Sequence, residues 1–292
     1  MEKYRAPNLH SPCDAVIYEV HIRDFSIHED SGMRHKGKYL AFTEDGTETS
    51  GGFSTGIAYL KELGVTHIEV LPFHDFAGVD ELSPDQSYNW GYNPIHFNAP
   101  EGSYSLDPQN PKSRITELKM MIQTLHKHGF SVIMDAVYNH VYKRETSPFE
   151  KTVPGYFFRH NEYGFPADGT GVGNDIASER LMVRKYILDS VRYWFEEYDV
   201  DGIRFDLMGI LDIETVRQIS KLAENVKPGA LLFGEGWDLN TPLESGQKAT
   251  LQNAGKVPAV GFFNDRFRNA VKGSTFAVSY THLRAHETGR NL

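Results

Sequence analysis

Apolar and polar positions along the chain follow two alternating rhythms. Over residues 16–23, Val16, Tyr18, Val20 and Ile22 alternate with Ile17, Glu19, His21 and Arg23, a period of two that predicts a strand. Gly56–Leu63 changes to a helical period, with Ile57, Leu60 and Leu63 on one face. Residues 65–71 read as the second strand. Residues 111–128 form an amphipathic helix with Ile115, Leu118, Ile122 and Leu125 on one stripe and Gly129 as its stop. A third strand follows at 130–137, then a helix at 178–198 carrying Leu181, Ile187, Leu188, Val191 and Phe195. The fourth strand is 200–206. The next helix, 212–226, has Asp212 as its N-cap. Leu231–Gly234 and 260–263 are the fifth and sixth strands.

Strand followed by helix, repeated, implies a parallel α/β sheet, either closed as a barrel or open and doubly wound. No G-x-G-x-x-G follows the first strand and no P-loop occurs, which removes support from the nucleotide-binding open sheets. Polar residues gather where the strands end: Arg23 and Asp24, His74 and Asp75, Asp135, Asp206, Glu235, Asn264. Barrels of the (β/α)8 type carry their sites on that C-terminal rim. The expected fold is therefore a (β/α)8 TIM barrel, incomplete, with about six of the eight strands present over residues 1–278. Two stretches interrupt the rhythm, 75–105 and 141–177, both rich in Gly, Pro and aromatic residues and read as long functional loops.

Charge narrows the partners. Lys plus Arg is 30 against 39 Asp plus Glu, a net −9, which argues against nucleic acid and anionic membrane and suits a neutral ligand. Aromatic residues are 12% of the chain, enough to supply stacking surfaces for sugars. Cys13 is the only cysteine, so neither an internal disulfide nor a cysteine zinc cluster can form. No apolar run is long enough for a bilayer span, and residues 1–12 lack the apolar stretch of a signal peptide.

Four segments carry candidate chemistry. In residues 201–206, strand periodicity points Gly202, Arg204 and Asp206 one way and Ile203 and Phe205 the other. With the apolar pair against the helices, Arg204 and Asp206 face the interior, and the guanidinium is expected to favour the ionised carboxylate a nucleophile needs. An Arg–Asp pair that merely closes a strand end reads equally well. Glu235 ends the fifth strand between Gly234 and Gly236, where burial and a neighbouring Asp206 would raise its pKa for acid catalysis. Strands about 4.8 Å apart bring such ends to the roughly 5 Å that paired carboxyls of retaining glycosidases require. Asp135, near the end of the third strand, suits an orienting role, and His140 just beyond it suits a hydrogen bond to a sugar hydroxyl. In residues 88–94, Tyr88, Trp90 and Tyr92 alternate with Asn89, Gly91 and Asn93, a sugar platform or a loop tied down by ring packing.

Taken together, these segments resemble glycoside hydrolase family 13, the α-amylase superfamily. In chain order, 135–140 resembles its first shared region, 202–206 its second and Glu235 its third. Residues 88–94 followed by 100–104, the opening 15–19 with Arg23, Asp24 and Phe25, and 263–266 resemble the type I pullulanases. The resemblance covers nearly all of residues 8–275. It implies retaining cleavage of α-1,6 branch linkages in pullulan, amylopectin or glycogen. Asp206 would form the glycosyl-enzyme, and Glu235 would protonate the leaving oxygen and then activate water. Arg204 and His140 would hold the reacting glucose and Tyr92 would stack beneath it, with Trp90 and Trp237 at neighbouring sugars. Residues 141–177 would be the family's insertion after strand three. Asn93 departs from the pattern, since pullulanases usually carry Asp there.

Further departures lie towards the end of the chain. The family's third carboxylate stands in a His-Asp segment near strand seven, and nothing after Glu235 matches it; Asp265 and His74-Asp75 sit in other surroundings. Residues 279–292 are polar without either period and read as a non-native or disordered tail. The reading is thus of a piece of a catalytic barrel, expected to be poorly soluble or partly unfolded and inactive in isolation. Its partner is an α-glucan, its state monomeric, and no cofactor is required; relatives that bind calcium make Asn139 a candidate ligand, and no metal cluster is assigned. The rival readings are a non-catalytic α-glucan-binding fragment and another specificity of the superfamily, such as isoamylase.

Overall fold

The alternation in the sequence is realised as strands and helices in strict succession. The structure, a computed structural model, describes residues 9–273. The tail 279–292 singled out above lies outside the described residues. In chain order the elements are β1 (Ile17–Val20), α1 (Gly56–Leu63), β2 (His67–Val70), β3 (His74–Phe76), β4 (Pro94–Pro100), α2 (Pro111–Lys127), β5 (Ser131–Ala136), α3 (Pro148–Thr152), α4 (Leu181–Tyr198), β6 (Gly202–Phe205), α5 (Ile213–Val226), β7 (Leu231–Gly234), β8 (Gly261–Phe262) and α6 (Asp265–Lys272). Six strands pair in the order β1-β2-β5-β6-β7-β8, every pair parallel. This curled parallel sheet is that of an incomplete α/β barrel.

Local chemistry sets the helix ends. Asp212 caps α5 by accepting from the Thr215 backbone at 3.0 Å, as expected. Asn110 caps α2 and Pro111 stands at its first position, where its missing N–H costs no bond. Gly129, at φ 87°, releases the chain from α2 into β5. The helix expected from residue 178 begins at Leu181, because Arg180 before it is extended, at φ −78° and ψ 136°.

The convex face of the sheet is apolar. Ile68, Val70, Val132, Met134, Ile203, Phe205 and Leu232 are buried there with Leu118, Ile122, Val191, Phe195, Val216 and Ile219 of the helices. Burial of one such side chain is worth about 1.5–3 kcal/mol.

The two segments read as loops contain structure of their own. Residues 75–105 include an antiparallel hairpin, β3 with β4, whose pairing is broken by irregularities around Asp75. Its strand signal is hidden because Pro94 and Pro100 end β4 and the bulged register spoils the period of two. Residues 141–177 hold α3 and the bridges Phe158↔Ile176 and His160↔Pro166.

Candidate active site

Strand register builds the site in layers. In parallel strands, paired residues point to the same side. Glu19 pairs with Glu69, and Glu69 with Ile133, so the two glutamates face the concave interior. Asp135 pairs with Arg204, one layer nearer the C-terminal rim. Asp206 and Glu235 follow the last paired residues, Phe205 and Gly234, and so stand side by side on the rim. Their backbones continue the ladder, Asp206 N–H to Ala136 at 3.1 Å and Glu235 N–H to Phe205 at 3.1 Å.

Arg204 is the hub. Its Nη1 donates to Asp135 at 2.8 and 3.0 Å and to Asp206 at 3.4 Å, and its Nη2 lies 3.0 Å from Glu235. Its Nε stands 3.8 Å from Glu69. Both Arg204 Nε and Glu69 Oε1 are buried without a hydrogen-bond partner. The guanidinium carbon also lies 5.8 Å from the Tyr92 ring centroid and 5.7 Å from that of Phe263.

Neighbouring groups fix the two rim carboxyls. Asn139 donates to the Asp206 carboxylate and to its backbone oxygen, each at 2.7 Å. The Leu207 backbone donates to Glu235 Oε2 at 3.0 Å. Leu207 holds φ 39°, a left-handed conformation uncommon for a non-glycine residue, which turns the chain sharply after Asp206. The Tyr92 hydroxyl donates to Asp135 at 2.6 Å, linking the 88–94 segment to the sheet.

Burial sets the protonation. It pushes Asp206 up to about 6, against the opposing pull of Arg204 and the Asn139 hydrogen bond. Arg204 pulls towards the ionised carboxylate, the direction expected of a guanidinium, but at this buried position the desolvation cost exceeds the ion-pair gain. Burial likewise raises Asp135 to about 7, although Arg204 opposes it, and Glu69 to about 8, with the negative charge of Asp135 adding to the shift.

The other expected residues divide. Trp90 is 61% exposed, and Trp90, Tyr92, Arg204, Asp206 and Glu235 all line a cleft of about 850 Å3. Asp135 and His140 lie beneath its wall, buried. His140 is engaged on both sides, Nδ1 with Asn139 Oδ1 at 2.5 Å and Nε2 with the Tyr92 carbonyl at 3.0 Å. Trp237 is half-buried under Arg268, whose guanidinium carbon is 5.8 Å from the ring, and does not line the cleft. Asn139 divides its amide between Asp206 and His140. Among the described residues, the carboxylates that approach one another closely enough for a shared metal are Asp75, Glu81 and Glu101, and Arg114 already pairs with Glu81 there.

Sequence reasoning missed Glu69 and Leu207. Glu69 had a signal, a carboxylate between Ile68 and Val70 in a strand otherwise read as buried. Leu207 contributes a backbone N–H, which side-chain patterns do not reveal.

Comparison with known proteins adds context. No protein-family model matches the sequence. The chain is 67% identical over 270 residues to the pullulanase of Bacillus subtilis, covering 92% of this chain and 38% of that protein. It is 35% identical to the chloroplastic pullulanase 1 of Arabidopsis thaliana, over 93% of this chain and 32% of that one. An isoamylase 3 of rice matches at 36% identity over 72% of this chain and 27% of its own. Among solved structures, the type I pullulanase of B. subtilis complexed with maltose superposes with a TM-score of 0.92 at 66% identity, covering 94% of this chain and 39% of that chain. The pullulanase of an Anoxybacillus species complexed with maltotriose gives 0.93 at 56% identity, over 94% and 40%. The chain thus spans well under half the length of these relatives.

Proposed function

We propose, from the homology of this chain to the type I pullulanases, that it carries the reacting pair for retaining hydrolysis of α-1,6 branch linkages in an α-glucan such as pullulan, amylopectin or glycogen. The observation that carries the reading is one guanidinium, Arg204, bridging Asp206 and Glu235 at the rim of a cleft. Retaining glycosidases use two carboxyls held roughly 5 Å apart, one attacking and one protonating the leaving oxygen. Asp206, with a pKa of about 6, is ionised at neutral pH and serves as nucleophile. Glu235 protonates the leaving oxygen and then takes a proton from water. Asp135 holds Arg204 and Tyr92 in place, and Tyr92 offers its ring to the reacting glucose. His140 would reach a sugar hydroxyl only by exchanging the Tyr92 carbonyl for it; until then it anchors the loop.

Trp90 stacks on a neighbouring sugar, with Trp237 as a second, less accessible platform. The pullulanases crystallised with maltose and maltotriose support an α-glucan as ligand. Residues 141–177 act as the insertion after the third barrel strand, and the sheet belongs to an eight-stranded (β/α)8 barrel. Within a complete barrel the chain acts as a monomer and needs no cofactor for these steps. Asn139 would serve calcium only by giving up His140.

The test places this chain in the corresponding 270 residues of the B. subtilis pullulanase and follows new reducing ends from pullulan, amylopectin and amylose. Cleavage of the first two and not of amylose is expected. Asp206→Asn and Glu235→Gln are each expected to cost on the order of 10³-fold or more in rate. Cleavage of amylose, or normal rates in either variant, would overturn the reading. Preference for amylopectin over pullulan would favour the isoamylase alternative.

A further inference from the structure

A second cavity of about 430 Å3 lies beside the cleft and shares His21 with it. Its lining combines positive charge, from Arg23, Lys36 and Lys38, with the apolar side chains of Phe76, Val79 and Pro84. Such concentration of cations stands out in a chain of net charge −9. Neither lysine forms an ion pair among the described residues. Lys36 Nζ donates to the His28 and Glu29 carbonyls at 2.9 and 2.5 Å, and Lys38 Nζ to the Ser103 carbonyl at 2.7 Å. An ammonium has three protons, so each lysine keeps donor capacity beyond these bonds. Burial pushes the Lys38 ammonium below the usual lysine range, opposed by Asp85 and Glu117. Arg23 pairs only loosely with Asp24, at 3.4 Å, and its Nε is buried without a partner. Exposed Asp85 is the carboxylate of the lining, and its charge acts on Lys38.

The partition between the two cavities is one extended segment. Ser87, with φ −146° and ψ 149°, begins it. Ser87 and Asn89 line the cationic cavity, whereas Tyr88 and Trp90 line the cleft. This is the alternation an extended chain imposes. The Arg23 guanidinium carbon also lies 5.6 Å from the Tyr88 ring centroid, so a cation of one cavity rests on a ring of the other.

We propose that the cationic cavity binds a small organic anion, and that its occupancy acts on Tyr88 and Trp90 through the shared segment 87–90. The charged group would meet Lys36, Lys38 and Arg23, and the carbon body the Phe76–Val79–Pro84 wall. The volume falls within the range of small-molecule pockets. The binding half stands independently of the debranching reading; the consequence for glucan contacts at Trp90 rests on it.

Isothermal titration of the same B. subtilis chimera with glucose 6-phosphate, citrate, inorganic phosphate and glucose tests the site in a complete barrel and without any turnover, so its failure and that of the debranching reading are distinguishable. Saturable binding of glucose 6-phosphate or citrate is expected, the tighter of the two identifying a phosphoryl or a carboxylate ligand. Binding should weaken about tenfold or more in Lys38→Gln, the loss of one charge-assisted contact. Should breaking the Lys38–Ser103 bond unfold the chain, Lys36→Gln carries the same expectation. In a two-dimensional spectrum of the indole N–H groups, the Trp90 signal, assigned by Trp90→Phe, should shift on binding while that of buried Trp194 stays. No saturable binding by about 10 mM overturns the proposal. Equal affinity for glucose would overturn the anion, equal affinity for inorganic phosphate the organic body, and an unmoved Trp90 signal the coupling.

Discussion

Arg204 faces Glu69, Asp135, Asp206 and Glu235 and neutralises one charge among them. Burial, with the unneutralised negative charge adding to it, raises Asp135 to about 7 and Glu69 to about 8. Glu101, buried behind the hairpin, is raised to about 7 by burial, against hydrogen bonds from Ser103 and Phe76. A carboxyl whose folded pKa exceeds its unfolded one binds more protons in the folded state. Its stabilising effect is present below the unfolded pKa and is lost as pH rises through the folded value. The depressed histidines, among them His74 at about 4 through burial, act below their ordinary 6.5 and in the opposite sense. Between pH 6.5 and 8.5 the carboxyls therefore dominate, and the melting temperature should fall as pH rises. Glu69→Gln should flatten that fall and raise the melting temperature at pH 8.5. Differential scanning fluorimetry across this range measures both; an unchanged slope in the variant would remove Glu69 from the account. The sequence shows each of these residues, but not that one arginine serves them all, since Glu69 and Glu235 are far apart in the chain.

At the scale of elements, β6 and the turn after it do two jobs with one short segment. Asp201, just before the strand, accepts from His126 of α2 and from the Val132 backbone, each at 2.8 Å, and pairs with Lys227 after α5 at 2.9 Å. Asp206, just after it, belongs to the cleft. The same residue type thus anchors helices at one end and serves the candidate chemistry at the other. The turn is packed too tightly for a side chain at Gly209, where a Cβ would lie 1.9 Å from the Trp237 carbonyl oxygen. Gly209 N–H also donates to the Glu235 backbone at 3.0 Å. Gly209→Ala should destabilise by about 1–3 kcal/mol, whereas Gly255→Ala, with nothing within 4 Å of the added carbon, should be close to neutral. Chemical denaturation of both variants checks the contrast. The pattern of apolar positions predicts these strands and helices, because each buries one face or stripe. The hairpin β3–β4 escapes it, because proline ends and an irregular register erase the alternation.

At the scale of the whole molecule, the described sheet ends at β1 on one side and β8 on the other. Near β1, Val16 is 50% and Ile17 38% exposed, and on α6 both Phe267 and Val271 are 69% exposed. Unpaired strand edges beside apolar side chains favour association. The isolated chain is expected to form larger species as its concentration rises, read by light scattering after size exclusion; a constant monomer mass would refute this. The order of the six parallel strands and of the long helices between them, and the rim positions of Asp206 and Glu235, were determined by sequence alone, because strand period and connection length are local properties of the chain. Tertiary structure alone decided three things: that Arg204 joins carboxyls from several strands, that burial outweighs its charge at Asp206, and that residues 87–90 divide two cavities. Each depends on distances between segments remote in sequence and on the exclusion of water between them, and none is written in any local pattern of residues.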